Sequence, residues 1–476
     1  MITLSKSKYL AGLQCPLLLW YYYNAPGEIP EADEAKQAIF NQGREIEKYA
    51  HKLFKGAILV PFNKDLAVTV VKTAKLLSKK RTLFEASFLH DHSYVRVDVL
   101  VPVGDEWDLI EIKSGTQVKD VNLLDVAFQK HCLTACGLKV RKCYLMHINK
   151  EYVRKGRIEP AKLLVKEDVT SLINPLLAGI DGQIDSMMKV IASASVKASI
   201  GPHCNDPYEC PMIASCWKFL PEHNVTELYR IGKKKFELIQ NGKLHISEVT
   251  ELSAVQMIQQ KAVVDGQRHV DKARIKEFLD GLKKPLYFFD FETLSTAIPL
   301  FNGVRPYQNI PFQYSLDVDG THYEFLASGR KDPRLKLLRQ LRKEIGTTGT
   351  VIAYNASFEK NVLKGLATSF VKEAKWIEAV IARVEDLLVP FRSFHYYHPL
   401  QHGSCSIKQV LPAMTGKDYS DIDVCGDTAG LEWLRINYTK VPKKEKERVR
   451  EELLKYCGQD TKSMVDVVNE LRREVD

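Results

Sequence analysis

The feature that most constrains this chain is LYFFDFET, residues 286–293, where two acids interrupt an otherwise apolar and aromatic run. Such a run reads as a buried strand, and the two-residue side-chain period puts Asp290 and Glu292 on one face. Two carboxylates beside a hydrophobic core are costly unless a cation lies between them. A divalent metal is the usual solution, because hard cations take oxygen ligands. Later segments can complete such a site. TGTVIAYNASFEKNVL reads as a second apolar strand and a helix starting near Ser357, with Glu359 in its first turn. EELLKYCGQDTKSMVDVVNEL reads as an amphipathic helix that carries Tyr456 and Asp460 one turn apart on one face.

The 476 residues exceed the usual single-domain size, so two or more cores are expected. A composition of 45% hydrophobic and 27% charged residues is that of an ordinary globular protein. No apolar run reaches the length of about 18 residues needed to span a bilayer. The short apolar stretch near the N-terminus runs into aromatic bulk without a small-residue cleavage site, so no signal peptide and a cytoplasmic location are expected. The net charge of +9 suits an anionic partner. The basic clusters at Lys79–Arg81, Lys233–Lys235 and Lys443–Lys446 also read as solvated helix faces. Strands and helices alternate in two α/β stretches, 1–220 and 285–476, joined by a charged helical connector over 221–284.

The N-terminal stretch has its own acidic constellation. YVRVDVLVPVGDEWDLIEIKSG reads as a β-hairpin with Asp98 on its first strand and Glu111-Ile112-Lys113 ending the second. Alternation puts Glu111 and Lys113 on one face. Two acids with a lysine one step beyond fit metal-assisted phosphodiester hydrolysis, the acids holding the ion and the lysine offsetting charge. A salt-bridged Glu-x-Lys on an exposed strand fits the same residues. Of the ten cysteines, Cys132, Cys136, Cys143, Cys405, Cys425 and Cys457 read as small hydrophobes or free thiols. Cys15, Cys204, Cys210 and Cys216 stand apart in LQCPLLLW and HCNDPYECPMIASCW.

These patterns resemble two nuclease families. An acid pair on a strand, an acid on the next helix and a late Tyr-x-x-x-Asp resemble the DnaQ-like DEDD exonucleases of the RNase H fold, in their tyrosine subclass. The resemblance covers roughly 285–476 and implies a 3′→5′ exonuclease. Asp290, Glu292, Glu359 and Asp460 would hold two Mg²⁺ or Mn²⁺ ions, and Tyr456 would orient the attacking water. The family usually has Asp where this chain has Glu359. The N-terminal hairpin resembles the PD-(D/E)xK core of RecB-like nucleases. That resemblance makes Asp98, Glu111, Lys113 and Gln129 catalytic and puts Glu47 where a metal-binding His is usual, with Leu133 at the family's tyrosine position. AddB-type and CRISPR-adaptation exonucleases of this branch carry one early and three late cysteines on a 4Fe-4S cluster. The resemblance assigns those positions to Cys15, Cys204, Cys210 and Cys216, at a wider spacing than the family's. A Zn²⁺ site or unligated thiols fit the four cysteines as well.

In the connector, NVTELYRIGKKKFELIQNGKLHISEV reads first as an ordinary αα-hairpin with a Gly turn and only faintly resembles half of a helix-hairpin-helix. The whole chain looks like bacterial proteins that fuse a RecB-like region to a DnaQ-like domain. The expected activity is a metal-dependent DNA nuclease in repair, recombination or phage defence. Two alternatives stand: a nucleic-acid-binding scaffold with one degenerate nuclease domain, and an RNA-trimming exonuclease.

Overall fold

A computed structural model describes residues 2–197, 199–422 and 426–476, so Cys425 lies outside the described residues. The protein is a mixed α/β chain in two compact units. One contains Met1–Lys218 with Thr296–Tyr307, and the other contains Phe219–Ser295 with Gln308–Asp476. The helical stretch read as a connector therefore groups with the C-terminal unit. There Val225, Leu228, Leu238, Ile246 and Val249 close a small apolar cluster of their own. No helix among the described residues is long and apolar enough to cross a membrane.

The first unit is built on a sheet of β1 (Leu4–Ser5), β2 (Ile58–Leu59), β3 (Leu83–His90), β4 (Ser93–Val103), β5 (Glu106–Ile112), β6 (Val140–Ile148) and β7 (Leu164–Asp168). The order is β2-β3-β4-β5-β6-β7, with β1 paired to β4. The hairpin expected around Asp98 and Glu111 is the antiparallel β4–β5 pair, with Val99 opposite Ile110. Leu109, Cys143 and Leu145 join one apolar cluster with Val126 and Phe128 of the helix Asp120–Ala135. Ile110, Ile112, Met146 and Ile148 join a second with Ile46 and Ala50 of the helix Glu34–His51. This alternation covers both faces of β5 and β6 and leaves Glu111 on the face of the Asp120–Ala135 helix.

The second unit holds β8 (His269–Val270), β9 (Leu286–Leu294), β10 (Ile310–Val318), β11 (Thr321–Leu326), β12 (Thr350–Ala353), β13 (Val384–Asp386) and β14 (Tyr396–Tyr397). Its main sheet runs β11-β10-β9-β12-β13, and β8 pairs with β14. β9 is antiparallel to β10 and parallel to β12, so it lies where the strand order reverses. In open α/β sheets, ligands favour such a position. Leu286 and Phe288 pack with Met464, Val467, Val468 and Leu471 of the C-terminal helix Lys443–Val475. By alternation, Asp290 and Glu292 continue that face.

The C-terminal helix is also held to β10 by polar contacts. Gln313 Nε2 donates to the Leu453 carbonyl at 2.7 Å, the Ser315 and Thr461 hydroxyls meet at 2.7 Å, and Thr461 donates to Asp317. Ser315 pairs with Asp290 and Gln313 with Glu292, so these contacts set the helix beside the two acids.

Gly349 leads into β12 with φ +87°, and an added Cβ would sit 2.2 Å from the Pro285 carbonyl oxygen. Both the positive φ and the backbone clash oppose any side chain there. Gly349→Ala is expected to destabilise the C-terminal unit by about 2 kcal/mol or more, measured by denaturant unfolding. An unchanged midpoint would contradict this placement of β9 against β12.

Candidate functional site

The C-terminal unit brings Asp290, Glu292, Glu359, Tyr456 and Asp460 together. Asp290 and Glu292 come from β9, Glu359 from the first turn of the helix Ser357–Ser369, and the other two from the C-terminal helix. Ligand atoms of Asp290, Glu292 and Cys457 lie within 4.8 Å of one another. Glu359 is 2% exposed, and its Oε2 is buried without a hydrogen-bond partner.

The electrostatics follow from crowding. Burial pushes the Asp290 carboxyl well above its ordinary value, and the charges of Asp460, Glu292 and Glu359 add to the shift. Burial raises Glu359 to about 8, helped by Asp386 and Asp460 against the pull of its own backbone amide. Asp460 rises to about 6 through burial, although Tyr419, Lys408 and Tyr456 pull it down. Burial and the surrounding carboxylates push the Tyr456 phenol far upward, so it stays protonated and acts as a hydrogen-bond donor. A cluster of acids that resist joint ionisation is a fitting donor set for divalent cations.

Three neighbours carry no signal in the sequence. Tyr419 donates to Asp460 Oδ1 at 2.9 Å. The Lys408 ammonium lies 5.2 Å from the Tyr456 ring centroid. Cys457 sits at 3.6 Å from Asp290 Oδ2. All three are distant in sequence from the acid they serve, or lie between motif residues. Asp386, the other acid near this site, instead accepts from the Asn355 and Leu388 amides and pairs with Arg392. Those bonds hold the turn that leads into the Glu359 helix.

The N-terminal unit brings Asp98, Glu111, Lys113 and Gln129 together, but with different chemistry. Lys113 Nζ lies 2.7 Å from Glu111 and 2.6 Å from Asp125. Gln129 Nε2 donates to Glu111 at 2.8 Å and to Asp125 at 3.0 Å. Lys6 Nζ lies 2.9 Å from Glu111 Oε2 and 3.5 Å from Asp98 Oδ1. Asp98 also accepts from the Ile112 amide at 2.8 Å. Burial would raise the Glu111 carboxyl, but Lys113 and Lys6 outweigh it and hold it below its ordinary range. Burial and the Glu111 charge raise Asp98 to about 8, against the pull of both lysines. Lys6 and Asp125, absent from the sequence reading, complete the cluster. The Lys6 ammonium lies between the two acids and supplies the positive charge there. Glu47 is half-buried nearby, its carboxyl raised by burial and by the charges of Glu85 and Glu111. Leu133 is fully buried in the apolar cluster.

Cys15, Cys204, Cys210 and Cys216 line one pocket with Leu18, Ile200 and Met212, and all four are free thiols. Cys15 lies at the break between the helices Lys6–Gln14 and Pro16–Asn24, at the N-terminus of the second. Gln14 Nε2 ties this break to the His203 and Tyr208 carbonyls at 2.8 and 2.7 Å. Burial raises Cys210 and Cys216, and each also feels the charges of Cys15 and Cys204. Four cysteines lining one pocket are the residue types that an iron–sulfur cluster or zinc uses.

A family model described as Domain of unknown function (DUF2779) matches residues 287–406, a stretch that includes Asp290, Glu292 and Glu359. The chain is similar to "Uncharacterized protein MG366" of Mycoplasma genitalium, at 28% identity over 224 residues, 41% of this chain and 33% of that protein. It is also similar to "Uncharacterized protein MG366 homolog" of Mycoplasma pneumoniae, at 27% identity over 221 residues with the same coverage. The chain thus spans about a third of the length of these curated relatives.

Glu359 has a direct consequence for stability. Its folded-state pKa, about 8, lies above its unfolded value, so its contribution is fully present at low pH and lost as pH rises through about 8. Glu359→Gln stays neutral throughout. In calorimetry with EDTA, the variant is expected to melt with the wild type below about pH 4 and above it by pH 8. A pH-independent gap between the two would refute the assigned burial of this acid.

Proposed function

We propose that this protein is a metal-dependent nuclease that hydrolyses phosphodiester bonds of DNA, with a 3′→5′ exonuclease centre at Asp290, Glu292, Glu359 and Asp460. The observation that carries the reading is the buried cluster these carboxylates form, in which burial first and neighbouring acids second raise Asp290 and Glu359. Mg²⁺ or Mn²⁺ bound there would supply an activated water and neutralise charge at the scissile phosphate. Asp290 and Glu292 would hold the ions from a strand in mid-sheet, and Glu359 would offer its free oxygen from the helix. The protonated Tyr456 hydroxyl, beside Asp460, would orient the attacking water. The net charge of +9 favours a polyanionic substrate. Likeness of the Asp98–Glu111–Lys113 hairpin to the RecB-like core favours DNA over RNA, and roles in repair, recombination or phage defence.

A second reading is favoured by one observation, the Lys6 ammonium between Asp98 and Glu111. It makes the N-terminal unit a degenerate nuclease that binds or scaffolds nucleic acid. A divalent-metal screen on end-labelled DNA and RNA separates these readings. The wild type is expected to shorten DNA from the 3′ end with Mn²⁺ or Mg²⁺, and Asp290→Ala to lose about 100-fold or more of that rate. Lys113→Ala would report any cleavage by the N-terminal unit. Tight binding with no cleavage of DNA or RNA would leave the scaffold reading, and faster cleavage of RNA would make the enzyme an RNA trimmer.

The four cysteines are proposed to hold a 4Fe-4S cluster, with Zn²⁺ as the alternative. The support is their shared pocket and free thiols. Anaerobically purified protein is expected to be brown and to contain iron, and Cys210→Ala to be colourless. Zinc without iron would favour the alternative, and neither metal would reject both.

A further inference from the structure

A third group of potential ligands lies in the C-terminal unit, among residues that the nuclease reading does not use. Ligand atoms of His223, Glu227 and His402 lie within 4.8 Å of one another. Glu227 Oε2 is 3.6 Å from His223 Nδ1 and 3.1 Å from His402 Nδ1. The two imidazoles stack with centroids 5.1 Å apart. Metal–ligand distances of about 2.0–2.2 Å in a tetrahedral zinc site place neighbouring donor atoms roughly 3.3 Å apart. The two separations from the carboxylate oxygen lie on either side of that value.

The donors are oriented before any ion binds. His223 Nδ1 is buried and has no hydrogen-bond partner. The other Glu227 oxygen, Oε1, accepts from Asn224 Nδ2 at 3.1 Å, which turns Oε2 toward the histidines. Support of this kind tunes a metal-binding carboxylate. The Ile246 amide donates to the His223 carbonyl at 2.9 Å and fixes one loop. Gly403 fixes the other: an added Cβ would sit 1.7 Å from the Glu227 carbonyl oxygen, so only glycine lets the backbone after His402 come this close. His402 is 40% exposed, which leaves room for solvent ligands.

We infer that His223 Nδ1, His402 Nδ1 and Glu227 Oε2 form a binding site for a divalent transition metal of the zinc class, with water completing its shell. Two imidazoles select such ions over Mg²⁺ and Ca²⁺, and the single carboxylate is compatible with zinc. The bound ion clips the 223–227 segment to the turn after β14. The inference is independent of the nuclease reading.

The test is titration of EDTA-treated full-length protein with Co²⁺ and Zn²⁺. His223 and His402 have φ of +52° and +47°, a region that asparagine tolerates. His223→Asn and His402→Asn therefore remove an imidazole while keeping the backbone, and Glu227→Gln removes the charge. Circular dichroism checks that each variant is folded. Each folded variant is expected to bind one equivalent fewer than the wild type, or to bind it about 100-fold more weakly. The cobalt absorption lost with it should lack a thiolate charge-transfer band, which separates this site from the four cysteines. Equal stoichiometry and affinity in the wild type and folded His402→Asn would overturn the proposal. So would a lost component that carries the thiolate band.

Discussion

Buried carboxylates need positive charge, and the two units meet that requirement in different ways. In the N-terminal unit the protein supplies it. Lys6 and Lys113 place ammonium groups against Asp98, Glu111 and Asp125, and Gln129 donates to one oxygen each of Glu111 and Asp125. Low dielectric strengthens each of these contacts, and together they hold Glu111 ionised. In the C-terminal unit burial raises Asp290 and Glu359, neighbouring acids add to the shift, and Glu359 keeps an unpartnered buried oxygen. An arrangement of that kind is costly to a fold unless it serves a ligand.

The remaining architecture of the C-terminal unit serves to hold those acids in place. β9 lies mid-sheet, apolar on one face and acidic toward its end on the other. The C-terminal helix crosses it under three constraints: an apolar seam through Met464, Val467 and Leu471, the Gln313 bond to Leu453, and the Ser315–Thr461 contact. The helix cannot shift without exposing the seam or orphaning Gln313. Tyr456, Cys457 and Asp460 therefore face β9 as a consequence of packing several residues away. Asp386 does comparable work for Glu359 by fixing the turn before its helix.

Much of this was legible in the linear pattern. The strands at 286–294 and 350–353, the helix from Ser357 and the β4–β5 hairpin follow from apolar periodicity and turn residues, which are local properties. Strand and helix periods put Asp290 with Glu292, and Tyr456 with Asp460, on shared faces, whereas the grouping of Asp290, Glu292, Glu359 and Asp460 was reachable only through the resemblance to the DEDD exonucleases. The shared pocket of Cys15 with three cysteines about 190 residues later was reachable only through resemblance, since no local rule spans that distance.

Residue order by itself determined the α/β alternation, the acid pairs and the faces they occupy, because these depend on short-range geometry. Tertiary structure alone decided where the counter-charges fall. Lys6 precedes Asp98 by 92 residues, yet its ammonium lies between that acid and Glu111. His402 lies 175 residues beyond Glu227, yet the two touch. It also decided that 219–284 packs with the C-terminal unit rather than standing apart. The physical reason is common to all three: electrostatic and packing partners are chosen by distance in space, and periodicity along the chain carries no information about which distant segment will arrive.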